Sequence, residues 1–199
     1  MIAIIDYGAG NLRSVQKALE QCGAEASITQ AAADLASADK VVFPGVGAFG
    51  NAAEALMRLE LFEPIKACIA SGIPFLGICL GMQMLFESSE ENPGVAGLGV
   101  LPGSVRRFPA HLKVPHLGWN GLFQVNASPL WREIPADAYF YFAHSFYVEP
   151  SDRSIVVGET DYGGRVAVAV RRDNLFGLQF HPEKSQKLGL QILKNFVEL

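Results

Sequence analysis

The segment Gly77-Ile78-Cys79-Leu80-Gly81 constrains this chain most, because it follows the apolar run Ile73-Pro74-Phe75-Leu76 and leads into the helix-like stretch Met82–Phe86. A strand that turns sharply into a helix through G-x-C-x-G is an elbow that lifts its central side chain above the edge of a sheet. Glycine on both sides suits a turn with no room for a Cβ, and such a turn can hold the central residue in a strained conformation. The helix that starts after Cys79 directs its free N–H groups at the sulfur. A Gly-flanked turn also suits a buried structural cysteine, so the elbow alone leaves nucleophile and packed thiol both open.

Gln179-Phe180-His181-Pro182-Glu183, directly after another apolar, strand-like run, weighs toward the nucleophile. His181 is the only histidine of the chain with a carboxylate at i+2, and residues i and i+2 of an extended segment project to the same side. Glu183 is therefore placed to accept the proton of one imidazole nitrogen while the other nitrogen faces the thiol, the generalised triad arrangement. Pro182 fixes the backbone between them. A third element is the strand-like Val41-Val42-Phe43, which opens into the loop Pro44-Gly45-Val46-Gly47-Ala48-Phe49-Gly50. An N–H of Gly45, Val46 or Gly47, together with that of Leu80, fits an oxyanion hole. The same loop would serve as a phosphate cradle or a plain turn, although it lacks the Gly-Lys-Ser/Thr ending of a P-loop.

With these three elements the chain resembles, nearly end to end, the class I, triad-type glutamine amidotransferases. Within them it is similar to the glutaminase subunits of imidazole glycerol phosphate synthase. The resemblance rests on an ordered set: Asp6-Tyr7-Gly8-Ala9-Gly10-Asn11, Pro44-Gly45-Val46-Gly47, Gly77–Gln83, Pro115-His116-Leu117-Gly118-Trp119-Asn120, His144-Ser145-Phe146 and His181-Pro182-Glu183-Lys184-Ser185. Relatives serving anthranilate or guanine nucleotide synthesis typically carry P-G-G-P at the loop and lack a lysine after H-P-E, and this chain departs from both patterns. The resemblance implies an α/β, flavodoxin-like fold with a mostly parallel sheet and antiparallel strands in the C-terminal half. It implies hydrolysis of L-glutamine to glutamate and ammonia without metal or organic cofactor, in a heterodimer with a (β/α)₈ cyclase subunit that receives the ammonia. It places Gln83, one helical turn beyond Cys79, at the substrate, with Gly47, Ser145 and Phe146 as backbone contacts and Glu91 beside them. Asn11, Trp119, Asn120, Tyr139 and Lys184 fall at the subunit contact. A partner also follows from chemistry: free ammonia is protonated in neutral water and loses its nucleophilicity, so it must leave by a dry route. The alternatives are a glutaminase subunit for another acceptor and a catalytically silent glutamine-binding partner.

At 199 residues the chain is expected to form one domain, 1–199,. No stretch approaches the roughly 18 apolar residues of a membrane span. Met1–Asp6 has no basic flank and too short an apolar core for a signal peptide, which predicts a cytosolic chain. Cys22, Cys68 and Cys79 form no metal spacing and no even-numbered disulfide framework,. Cys22, on a stripe with Leu12, Val15 and Leu19, and Cys68 are expected as small core residues. A net charge of −4 without a basic cluster argues against nucleic acid,.

The periodicity predicts strands at 2–5, 26–29 and 41–43, a helix over 11–22 stopped at Gly23, and helix over 51–70 interrupted near Pro64. Strands follow at 99–101, 119–125, 139–143, 155–159, 166–170 and 175–180, with Asp173-Asn174 as a tight hairpin turn. Ser185 is the expected N-cap of a last helix that turns Leu188, Ile192 and Phe196 inward. The alternation of strand and helix in the first half predicts a parallel sheet with helices on both faces.

Overall fold

In the computed structural model, which describes residues 1–199, strand and helix alternate through the first half. The elements are β1 (Ile2–Ile5), α1 (Leu12–Gln21), β2 (Ala26–Thr29), α2 (Ala32–Ser37), β3 (Lys40–Gly45), α3 (Phe49–Arg58), α4 (Phe62–Ala70), β4 (Phe75–Cys79) and α5 (Leu80–Gln83). Strands dominate thereafter: β5 (Phe86–Ser89), β6 (Leu101–Arg107), β7 (His116–Gly121), β8 (Phe123–Gln124), β9 (Tyr139–His144), β10 (Phe146–Pro150), β11 (Val156–Asp161), β12 (Arg165–Arg172) and β13 (Leu175–Leu178). The chain closes with α6 (Gln186–Val197).

The main sheet runs β2-β1-β3-β4-β13-β12-β10-β6-β5. Its first five strands are parallel, and β12, β10 and β6 continue it antiparallel. This is the fold class expected from the sequence. Strands buried on both faces read as unbroken apolar runs, and each contributes to two cores. Ala3, Ile5, Val41 and Phe43 pack on one side with residues of α2, α3 and α4. Ile2, Ile4, Val42 and Ile78 pack on the other with Val15 and Leu19 of α1 and Ile192 and Phe196 of α6. No helix is long and apolar enough to cross a membrane.

Several local expectations need correction. The helix after Cys79 is a single turn that ends at Gln83, and Phe86 begins β5 instead of closing a helix. The helical stretch breaks at 59–61, so Pro64 sits in the first turn of α4, where no intrahelical N–H is required of it,. Residues 119–125 are not one strand: β7 pairs with β9 in a separate two-stranded sheet, whereas β8 pairs with β11. Periodicity alone does not reveal α2, β5 or β10. Ser185 is the N-cap of α6, its carbonyl accepting the Gly189 N–H at 3.0 Å, but its side chain makes no capping bond; the hydroxyl donates to the His181 carbonyl at 2.6 Å and accepts from the Tyr141 N–H at 3.0 Å. The hairpin at Asp173-Asn174 is present, with Arg172 opposite Leu175 and Asp173 at φ +53°. Cys68 is buried and Cys22 half-buried, each with its thiol against a backbone carbonyl.

Candidate active site

The three parallel strands β3, β4 and β13 lie side by side, so their C-terminal ends open on one edge of the sheet. Ligands bind at this edge in open α/β sheets because the connecting loops gather there. Here β4 ends at Cys79, β3 runs opposite it into Gly45 and the loop beyond, and β13 leads directly to Gln179 and, two residues further, to His181. The three sequence elements of the site thus converge because their strands are neighbours.

Cys79 has φ +55° and ψ −110°, a conformation that a side chain adopts only where the surroundings impose it,. Those surroundings are the glycines. A Cβ on Gly81 would overlap the carbonyl oxygen of Phe43, and one on Gly77 would lie 2.9 Å from the Gly81 carbonyl. Close packing of the turn against β3 is therefore what forces the cysteine upward. As the first residue of α5, Leu80 has no intrahelical acceptor for its N–H,.

His181 Nδ1 stands 2.9 Å from Glu183 Oε1, with only 4% and 1% of the two side chains exposed. The pair forms through a 3-10 turn over Pro182–Lys184, not through the extended backbone anticipated for it. Burial opposes the imidazolium, but hydrogen bonds and attraction from Cys79 and Glu183 outweigh it and push His181 up to about 9,. His181 is therefore an imidazolium flanked by two acceptors at neutral pH.

Above these groups is a cavity of about 300 Å³. It is lined by Val46 and Gly47 of the loop, by Gln83 and Glu91, and by the β9–β10 corner Ala143-His144-Ser145-Phe146. The Gln83 Nε2 group donates to the Phe146 carbonyl and to Gln179 Oε1, both at 3.0 Å, which leaves its Oε1 without a protein partner. Glu91 Oε2 accepts the Phe49 N–H at 2.8 Å and so caps α3 while its residue lines the cavity. In the loop, the Val46 N–H is taken by the Tyr7 hydroxyl at 3.2 Å, whereas the Gly47 N–H has no protein acceptor. Gly47 has φ +96°, so the left-handed residue is the glycine and not the β-branched Val46,.

A thiol, an imidazole with a carboxylate partner, and an unpaired amide around one cavity are groups that suit acyl transfer through a thioester,. The family described as Glutamine amidotransferase class-I matches residues 3–199. This chain belongs to the class-I glutamine amidotransferases. It is 53% identical over 201 residues to the Nitrosococcus oceani protein named imidazole glycerol phosphate synthase subunit HisH, covering 98% of this chain and 96% of that one. The Methanocaldococcus jannaschii protein of the same name is 50% identical over 199 residues, covering all of both chains. Among solved structures, PurLQS from Thermotoga maritima superposes with a TM-score of 0.80 at 22% identity, over 99% of this chain and 97% of that one. A structure titled as a glutamine amidotransferase gives 0.78 at 19%, over 100% and 98%. At those identities the structures speak to the fold alone.

In this amidotransferase the residues expected at a subunit contact do not share one environment. Trp119 and Tyr139 are exposed on the outer face of the β7–β9 sheet, and Lys184 lies 5.9 Å from the ring of Tyr141 at the cavity rim. Asn120 instead turns inward, as alternation along β7 requires, and its amide donates to the Asp161 carbonyl at 3.0 Å and meets His116 Nε2 at 3.2 Å,. Asn11 precedes α1 and accepts the Ser14 hydroxyl at 2.8 Å. Leu117, 64% exposed beside Trp119, went unread in the sequence although i, i+2 alternation places it on the same face. Gln179 was also unread. It lies two residues before His181 in extended chain, and its Nε2 stands 3.6 Å from Cys79 Sγ.

Proposed function

We propose that this chain, as one glutamine amidotransferase domain over 1–199, is the cytoplasmic glutaminase subunit of imidazole glycerol phosphate synthase. The observation that carries the proposal is the alignment of Cys79, His181 and Glu183 at one sheet edge, with Cys79 held at φ +55°. The Cys79 thiolate adds to the side-chain carbonyl carbon of glutamine. The resulting oxyanion is held by the Leu80 N–H and by the Gly45-Val46-Gly47 loop, where the Gly47 N–H is the donor left unpaired,. His181 gives its proton to the leaving nitrogen, the C–N bond breaks and ammonia departs. Water then attacks the thioester and returns a proton to His181, and the C–S bond breaks to release glutamate and the thiolate. Glu183 stabilises the imidazolium at both stages.

Gln83 offers its free Oε1 to the substrate, and Gly47, Ser145, Phe146 and Glu91 complete the wall around it. Ammonia passes to a (β/α)₈ cyclase subunit, which forms imidazole glycerol phosphate and the aminoimidazole carboxamide ribonucleotide in histidine biosynthesis. Support for that partner comes from the exposed Leu117, Trp119 and Tyr139 beside the cavity, an apolar face of the kind that another subunit covers,. Of the residues expected at this contact, Asn120 belongs to the support beneath the face and not to the face itself.

The test is glutamate release by the chain alone, with the cyclase subunit, and with that subunit holding its nucleotide ligand. Glutamine hydrolysis that ends at Cys79 substitution and rises on assembly is the expected result. Absence of hydrolysis in all three conditions would overturn the assignment.

A further inference from the structure

The triad does not account for Gln179, a fully buried amide in contact with the reacting sulfur. Its orientation follows from a chain of hydrogen bonds anchored at a backbone carbonyl. The oxygen of Phe146 accepts only, so the Gln83 atom 3.0 Å away from it must be the amide nitrogen,. The same nitrogen lies 3.0 Å from the Gln179 side chain, so the Gln179 atom facing it must be the oxygen. The Gln179 NH₂ group then has one place left, 3.6 Å from Cys79 Sγ. A flip of Gln179 would set two donors against each other, and a flip of Gln83 would set its oxygen against two acceptors; either loses a buried hydrogen bond,.

The anchor is itself held in place. His144 Nδ1 lies 2.8 Å from the Phe146 carbonyl and must carry its proton there, which leaves His144 Nε2 to accept from His116 Nδ1 at 2.8 Å,. His116 Nε2 then accepts from the Asn120 amide. One run of oriented donors therefore extends from Asn120 on β7 to the Phe146 carbonyl, where the Gln83–Gln179 pair takes over toward the sulfur.

We infer that Gln179 is a further catalytic residue, whose N–H donates to the Cys79 sulfur and favours the thiolate over the thiol. A thiolate is the better acceptor, so a preset N–H stabilises the charged nucleophile more than its neutral form. The backbone N–H of Gln179 is bound to the Val168 carbonyl at 2.8 Å, which fixes the stem of the side chain on the sheet. Gln83, besides its place at the substrate, thus aims Gln179. The inference rests on the reading of Cys79 as nucleophile.

The experiment follows iodoacetamide alkylation of the full chain as a function of pH, with the modified site identified by mass spectrometry. Gln179→Met removes the donor at nearly constant volume. Gln179→Glu keeps an acceptor for Gln83 while taking the donor from the sulfur. At pH 7 both should alkylate Cys79 about 10- to 100-fold more slowly than wild type, the range for a hydrogen bond to an ionised group. The deficit should shrink toward pH 10, above the ordinary range of a cysteine thiol; a packing defect or blocked access would slow alkylation equally at every pH. Glutamine kinetics of Gln179→Glu should show the loss in kcat with KM within about twofold of wild type. Alkylation at pH 7 within twofold of wild type in both variants overturns the inference. Wild-type glutaminase activity, measured in parallel, tests the functional reading separately, because alkylation of Cys79 does not require glutamine.

Discussion

His181 and Glu183 hydrogen-bond at 2.9 Å across one intervening residue, and almost nothing of either side chain reaches solvent. The second carboxylate oxygen of Glu183 is buried without a partner. The carboxylate therefore acts on the imidazole alone, and its substitution bears on the orientation and charge of the base more than on the fold. Cys79→Ala and His181→Ala are expected to abolish glutamine hydrolysis, since each removes a group that forms or breaks bonds. Glu183→Gln should retain roughly 10²-fold more activity than either, by analogy with hydrolases whose triads behave as a unit. Steady-state glutamate release checks this, and a Cys79→Ala variant near the wild-type rate would sink the mechanism.

Proton binding at His181 sets a second expectation. Its native pKa near 9 lies above the unfolded value near 6.5, so the native state binds the extra proton between them,. The associated stabilisation is complete below about pH 6.5 and is lost as pH rises through about 9. The imidazolium should persist to about pH 9 in an NMR titration, and acylation should decline above that pH as the proton for ammonia is lost. Cys79→Ala should lower the midpoint, because it deletes one of the two acceptors that raise it,. An unchanged midpoint would remove Cys79 as a cause.

Tyr7 holds both peptides that flank the Val46 Cα, with its hydroxyl 3.2 Å from the Val46 nitrogen and 3.4 Å from the Val46 carbonyl oxygen. Burial keeps this phenol protonated far above its ordinary range. The latch ties up one loop amide and leaves the oxyanion to the others. Tyr7→Phe and Val46→Gly are each expected to raise glutaminase turnover in the absence of a partner, the first by releasing the peptide and the second by allowing positive φ. The gain is bounded at about 10²–10³-fold, the usual worth of one oxyanion donor. No gain in either variant would dismiss the latch.

The paired histidines behind the cavity predict an acid limit. Burial holds His116 down to about 4 and His144 to about 3. In the unfolded chain both take up a proton near pH 6.5. The unfolded state therefore binds more protons between about pH 6.5 and 4, and stability falls as pH drops through that window; above it neither histidine contributes. Urea midpoints at pH 7.5, 5.5 and 4.5 should fall more steeply for wild type than for His116→Gln. Parallel slopes would locate the acid sensitivity elsewhere.

The elbow, the base and its carboxylate were legible because each is written in neighbouring residues. Gly77 and Gly81 report a turn without room for a Cβ, His181 and Glu183 lie two apart, and the apolar runs before Cys79 and Gln179 announce buried strands. The fold class came from the same local periodicity, since alternating strand and helix leave few ways to cover both faces of a sheet. The shortness of α5 was not legible, because close packing on β3 and the entry into β5 end that helix while its residues would allow it to continue. Nor did sequence divide 119–125 between two sheets, or turn Asn120 inward toward His116. The contact between Gln179 and Cys79 spans 100 positions and exists only because β13 lies beside β4. Sequence by itself determined which chemistry this chain carries and roughly where it bends. Tertiary structure alone decided which amides face the sulfur, because donors brought together from separate strands owe their directions to the order of the sheet and to the carbonyl at which their hydrogen-bond chain begins.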